Sequence, residues 1–264
     1  MKIRSVVAIA LSSLLLTACV TVTEDKDGKP LPNTMKVDPL STKEGRDNAR
    51  DAYIQLALGY LQDGQTERAK DPLQKALKID PNSPETYSIL AFAFQREMEY
   101  DLADENFRKA LSKERSARFL NNYASFLLET KQYQKSYDTY AEASKDPLYA
   151  NRSRIFENMG IAALAMDKKD LAEQHFIRAL RLNNTLPIAN LELAEMKYNS
   201  GDYAAARSYY ADFQVLSDQF PRSLLLGIRI AKAFNDRNQV ATLALQLRNL
   251  YPGSPELKQY LAEQ

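Results

Sequence analysis

Residues 51–85, DAYIQLALGYLQDGQTERAKDPLQKALKIDPNSPE, decide how this chain folds. Tyr53, Leu56, Ala57 and Tyr60 stand at i, i+3, i+4 and i+7, the spacing that gathers apolar side chains on one face of a helix. Ala69, Leu73, Ala76 and Leu77 repeat that logic after an interruption at Gly64-Gln65, so two short amphipathic helices are expected. Pro81 ends the second, because the residue before a proline, here Asp80, is pushed out of the α region. Ser83, Pro84 and Glu85 then read as the N-cap and opening residues of a further helix. Pro72 lies well inside the second helix, where a lost hydrogen bond and a ring clash cost about 3 kcal/mol, and should kink it. The unit is a helix-turn-helix that hands the chain directly to a neighbour.

The copies downstream are imperfect but regular. Aligned on one small residue of the first helix they give Ala57, Ala91, Ala124, Gly160, Ala194 and Ile228, with steps of 34, 33, 36, 34 and 34. A period near 34 with two helices per unit resembles the tetratricopeptide repeat over about residues 50–254. The second helices carry small residues at Ala69, Ala103, Ala172 and Ala206, and again at Ala76, Ala110, Ala143 and Ala179. Such side chains let helices approach closely, with Leu73, Phe107, Tyr140, Phe176 and Tyr210 filling the space between. The expected architecture is all-α: a superhelix of about six units (50–83, 84–116, 117–150, 153–186, 187–220 and 221–254) and a C-terminal capping helix at 255–264. The 36-residue step holds a long connection, Ser144 to Arg152, and the sixth unit is worn, with Ile228 and Val240 where small residues are usual.

Composition narrows the function. Lys and Arg total 35 against 34 Asp and Glu, without a long basic run, so the footprint of a nucleic-acid binder is missing. No phosphate-cradling, nucleophile-elbow or zinc-protease motif occurs, and His175 is the sole histidine, read as a partly exposed helical residue. Neither a catalytic constellation, a metal site, a cofactor nor a small-molecule substrate is expected.

The amino terminus has a separate logic. Lys2 and Arg4 precede an apolar run from Val6 to Leu16, the pattern of a secretory signal peptide and too short to span a bilayer. Leu16-Thr17-Ala18-Cys19 resembles the lipobox of bacterial lipoproteins, and Cys19 is the chain's sole cysteine, which leaves it no disulfide partner within the monomer. Residues 1–18 are therefore expected to be removed and Cys19 lipidated, each buried acyl CH₂ contributing about 0.8 kcal/mol to anchoring. Val20 in place of Asp implies, by resemblance to lipoprotein sorting rules, the outer membrane. Residues 19–48, with Pro30, Pro32, Pro39, Gly28 and Gly45, read as a flexible tether that would span about 30 Å, leaving 49–264 as the repeat domain.

Binding is the function that the repeats support. The first helices of such a superhelix line a concave groove, and its groove positions in the first two units include Ile54, Leu58, Leu61, Ile89 and Phe92, apolar enough to mark a partner site. Asn122 and Asn158 stand where they could hydrogen-bond a peptide backbone.

A closer resemblance rests on LGYLQDG (58–64), FQREMEYDLADENFRKAL (94–111), FLNNYASFL (119–127), RSRIFENMG (152–160), RSLLLGIRIAKAF (222–234) and LYPGSPEL (250–257). These phrases resemble the PilF/PilW pilotins of type IV pilus assembly, and they include Arg152, Arg154, Glu157, Asn158 and Arg222, which the generic repeat does not require. The resemblance implies a non-enzymatic outer-membrane lipoprotein, facing the periplasm, that binds the pilus secretin subunit and promotes its localisation and multimerisation. Carried over residue by residue, it assigns a role to Cys19 alone. The alternative is a general envelope scaffold that recruits a protease or a peptidoglycan hydrolase.

Overall fold

The computed structural model describes residues 39–263. The expected signal peptide, Cys19 and most of the tether lie outside the described residues. Two compact units divide at Arg46/Asp47. Of the first, the described part is a 3₁₀ turn, Pro39–Ser41, and the opening of α1, Lys43–Gln62, where the Thr42 hydroxyl accepts the Gly45 N–H at 3.0 Å. Residues 43–48 are thus helical, a correction to the expected tether. Sequence periodicity misses this turn because it has no apolar stripe: a cap and helix-forming charged residues support it instead.

The second unit holds the remainder as antiparallel pairs. α1 pairs with α2 (Thr66–Ile79), α3 (Pro84–Arg96) with α4 (Tyr100–Lys113), α5 (Ala117–Glu129) with α6 (Tyr133–Ala143), and α7 (Arg152–Ala165) with α8 (Lys169–Leu182). α9 (Pro187–Asn199) pairs with α10 (Tyr203–Leu216), α11 (Pro221–Ala233) with α12 (Arg237–Leu250), and α13 (Pro255–Ala262) closes the series. The first helices also touch one another along α3, α5, α7, α9 and α11, whereas among the described residues no two second helices pack to that extent. The layer therefore curves with its first helices inside, and these line the concave face.

Small residues make that packing possible. Ala57, Ala91, Ala124, Gly160, Ala194 and Ile228 are all buried, as are Leu73, Phe107, Tyr140, Phe176 and Tyr210 opposite them. At Gly160 a Cβ would lie 2.5 Å from the Phe176 ring, so the glycine is dictated by its neighbour. Where the third repeat carries Ser136 in place of alanine, its hydroxyl donates to the Ala124 carbonyl at 2.8 Å and so enters the core satisfied. The final helix places Leu257 and Tyr260 against Leu224, Leu225 and Ile228, covering the end of the solenoid.

Every turn inside a repeat uses one device. Two residues beyond the end of each first helix the backbone is left-handed: Gly64, Met98, Lys131, Asp167, Gly201 and Asn235, with φ between 57° and 83°. The next N–H reaches back five residues in five of the six, as in Gln65 to Tyr60 (2.8 Å) and Gln132 to Leu127 (2.8 Å), a Schellman closure that satisfies helix-end carbonyls.

One local expectation changes. The buried stripe of α1 is Ile54, Ala57 and Leu61, not Tyr53, Leu56 and Tyr60; Leu56 is 48% exposed. Both series are apolar, and packing selects the aliphatic one, whereas Tyr60 lies under the Arg68 guanidinium at 4.4 Å. α2 runs on through Pro72, which is buried beside Leu73.

Candidate partner-binding groove

A cavity of about 270 Å³ opens on the concave face of the first three repeats. Leu58 from α1, Ile89 and Phe92 from α3 and Phe107 from α4 make its apolar wall, and Gln95, Asn121, Asn122, Ser88 and Ser125 its polar one. Helical spacing explains the grouping: Ser88, Ile89, Phe92 and Gln95 lie on one face of α3, and Asn121, Asn122 and Ser125 occupy the matching face of α5. Phe92 is 43% exposed, a large apolar side chain presented to solvent at the mouth. Asn122 Nδ2 donates to Ser88 Oγ at 3.1 Å, and Gln95 Nε2 to Glu129 Oε2 at 2.6 Å.

Of the residues expected in the groove, Leu58, Ile89, Phe92 and Asn122 come together here. Ile54 and Leu61 do not: they are 2% and 3% exposed and belong to the core, Leu61 packed with Leu73, Leu90 and Ala93. Asn158 is also placed differently, its Nδ2 donating to the Tyr140 hydroxyl at 2.9 Å, a tie between the third and fourth repeats. Burial pushes that tyrosine up to about 12, so it remains a neutral partner. Sequence reasoning missed Ser88, Gln95, Asn121 and Ser125. A signal existed, since Asn121 and Ser125 lie one 33-residue step from Ser88 and Phe92.

Further along, the equivalent positions change chemistry. Glu192 and Glu195 of α9 hold Arg222 of α11, whose guanidinium meets both oxygens of Glu192 at 2.7 and 2.8 Å. The bidentate bond to Glu192 raises the Arg222 pKa above its usual value. His175 is half-buried, hydrogen-bonded to the Tyr137 hydroxyl at 2.9 Å and stacked on Phe156; burial, then Arg178, lowers its pKa. No group of His, Cys, Asp and Glu suited to a metal occurs among the described residues, and no described helix is long and apolar enough to cross a membrane.

A stacked array of helix pairs with small residues at the contacts and an open apolar cavity on its inner face defines a tetratricopeptide-repeat protein. The tetratricopeptide-repeat family model matches residues 51–83. Over 249 residues the chain is 50% identical to the type IV pilus assembly protein PilF of Pseudomonas aeruginosa, covering 94% of each. The chain belongs to the PilF family. A solved structure from a functional study of Pseudomonas aeruginosa PilF superposes with a TM-score of 0.81 at 53% identity, covering 83% of this chain and all of that one. The crystal structure of PilW, a widely conserved type IV pilus biogenesis factor, gives 0.70 at 30% identity, over 80% of this chain and 98% of that one.

Proposed function

We propose that this protein acts in type IV pilus biogenesis as a lipid-anchored pilotin: the repeat domain binds the secretin subunit, and a lipid on Cys19 carries the complex to the outer membrane, where the ring assembles. The observation that carries the binding half is the charge-free apolar cavity built from Leu58, Ile89 and Phe92, within a chain 50% identical to a type IV pilus assembly protein. The anchoring half rests on Leu16-Thr17-Ala18-Cys19. Binding and placement demand no turnover.

Two substitutions separate the halves. Cys19→Ala should leave secretin binding intact and misplace the complex, read by membrane fractionation. Phe92→Asp should abolish binding with helicity retained, because it removes the aromatic part of the apolar wall and puts a hydrated carboxylate, within reach of Arg96, where an apolar side chain would seat. Secretin multimers of unchanged amount and location in both variants would overturn the reading. Recovery of an envelope protease or peptidoglycan hydrolase as the dominant partner would replace it with a general scaffold role.

A further inference from the structure

The polar side of the groove cavity is not uniformly available. Asn122 is bonded to Ser88 and Gln95 to Glu129. Asn121 has no such partner among the described residues, although it lines the same cavity at partial exposure. Its carboxamide offers two donors and an acceptor, a set that matches a peptide unit presenting both C=O and N–H. The remaining wall is Leu58, Ile89, Phe92 and Phe107, and no ionisable side chain lines the cavity at all. The nearest charges are already engaged, Glu129 by Gln95 and Arg96 by the Leu61 carbonyl, so a charged group entering it would give up hydration for little return. About 270 Å³ is room for a few side-chain groups at most, less than a folded element needs.

Resting on the docking reading above, we infer that the occupant is a short uncharged segment of the partner with an aliphatic or aromatic side chain seated between Leu58, Ile89 and Phe92, and that Asn121, not its neighbour Asn122, pairs with the segment's backbone. Asn121 is then the residue that fixes register: the apolar wall holds a side chain, and the amide sets which peptide unit lies beside it.

The test uses the full chain carrying Cys19→Ala and the purified secretin subunit. Asn121→Leu should weaken binding about tenfold, the worth of one hydrogen bond left unmade, with an unchanged melting temperature. Asn122→Leu should act differently, lowering the melting temperature because it orphans Ser88, which is 5% exposed. A photo-crosslinking amino acid at position 125 should capture a segment without charged residues at the contact. If Asn121→Leu binds as the parent does while Phe92→Asp does not bind, the register role is overturned and the docking site stands. If Phe92→Asp also binds normally, or the parent fails to bind, the docking reading falls and this inference with it. Capture of a Lys-, Arg-, Asp- or Glu-rich segment would overturn the uncharged occupant.

Discussion

Glu157 of α7 accepts the backbone N–H of Ala189 at 3.0 Å, so a carboxylate from the fourth repeat caps the first helix of the fifth. Leu186 stands at the N-cap of α9 and offers no side-chain oxygen, and Pro187 follows at the first helical position. The cap is therefore supplied from a neighbouring repeat. The carboxylate also complements the positive end of the α9 dipole. Glu157 is 2% exposed, with Arg154 as its nearest cation at 3.9 Å.

Glu157→Ala should destabilise the protein by about 1–3 kcal/mol, since it orphans a buried N–H and leaves a void. Glu157→Gln keeps an acceptor for Ala189 and should cost far less. Burial raises the Glu157 pKa in the folded chain above its unfolded value, against the Ala189 hydrogen bond and Arg154. The folded state therefore binds more protons than the unfolded between those two values. Stability from this group is complete below the unfolded value and declines as pH rises through the folded one. Thermal melts between pH 4 and 7 should show this decline in the parent and not in Glu157→Gln; parallel curves would remove the carboxylate from the account.

The six left-handed turn positions carry only two glycines, and this gives a second prediction. Met98 and Lys131 adopt φ of 63° and 61°, a region costing a side-chain-bearing residue about 1–2 kcal/mol. Met98 is 75% exposed, so its removal forfeits little packing. Met98→Gly and Lys131→Gly should each stabilise by a few tenths to about 1 kcal/mol after glycine's own entropy cost. Gly64→Ala should do the reverse. Denaturant midpoints at constant m-value would check all three.

How much of this was legible in the sequence depends on what recurs. The ladder Ala57, Ala91, Ala124, Gly160 and Ala194 was legible because close helix contact demands a small residue once per repeat, and that demand has a period. The ties that fix one repeat on the next were not, because each is made once. Arg152, Glu157, Asn158 and Arg222 depart from the generic pattern, and the structure gives each a distinct inter-repeat partner: the Ser144 carbonyl, the Ala189 amide, the Tyr140 hydroxyl and Glu192. The groove was half legible. Leu58, Ile89 and Phe92 follow from helical phase, but α1 has apolar residues at 54, 56, 57, 58, 60 and 61, so phase alone misplaced Ile54 and Leu61. Only packing against α2 and α3 selects the buried stripe.

Gly160 and Phe176 make a third test, of close approach rather than backbone freedom. A methyl at Gly160 would stand 2.5 Å from the ring of a fully buried Phe176, with no flexible chain end to yield. Gly160→Ala should destabilise by about 1–3 kcal/mol through overpacking, despite the better helix propensity of alanine. Phe176→Leu in the same chain should restore part of the loss, since a smaller side chain makes room. Double-mutant-cycle additivity between the two would show that they do not contact in this way.

The end of the solenoid supplies the last prediction. Leu257 and Tyr260 of α13 bury themselves on Leu224, Leu225 and Ile228 of α11 and on Leu243 and Leu247 of α12. Arg229 of α11 pairs with Glu263, just beyond α13, whose carboxyl is held below its ordinary pKa chiefly by hydrogen bonding to that guanidinium. Each repeat is stabilised through its neighbours, so the sixth depends on α13 from one side and on α9 and α10 from the other. Leu257→Ala should cost about 2–5 kcal/mol locally. Because that loss falls on a terminal unit, the sixth repeat should open before the rest, giving hydrogen exchange that is faster in α11 and α12 but unchanged in α3 to α8. Uniform acceleration along the chain would mean that the solenoid opens as one cooperative block, with α13 stabilising all of it rather than its own end.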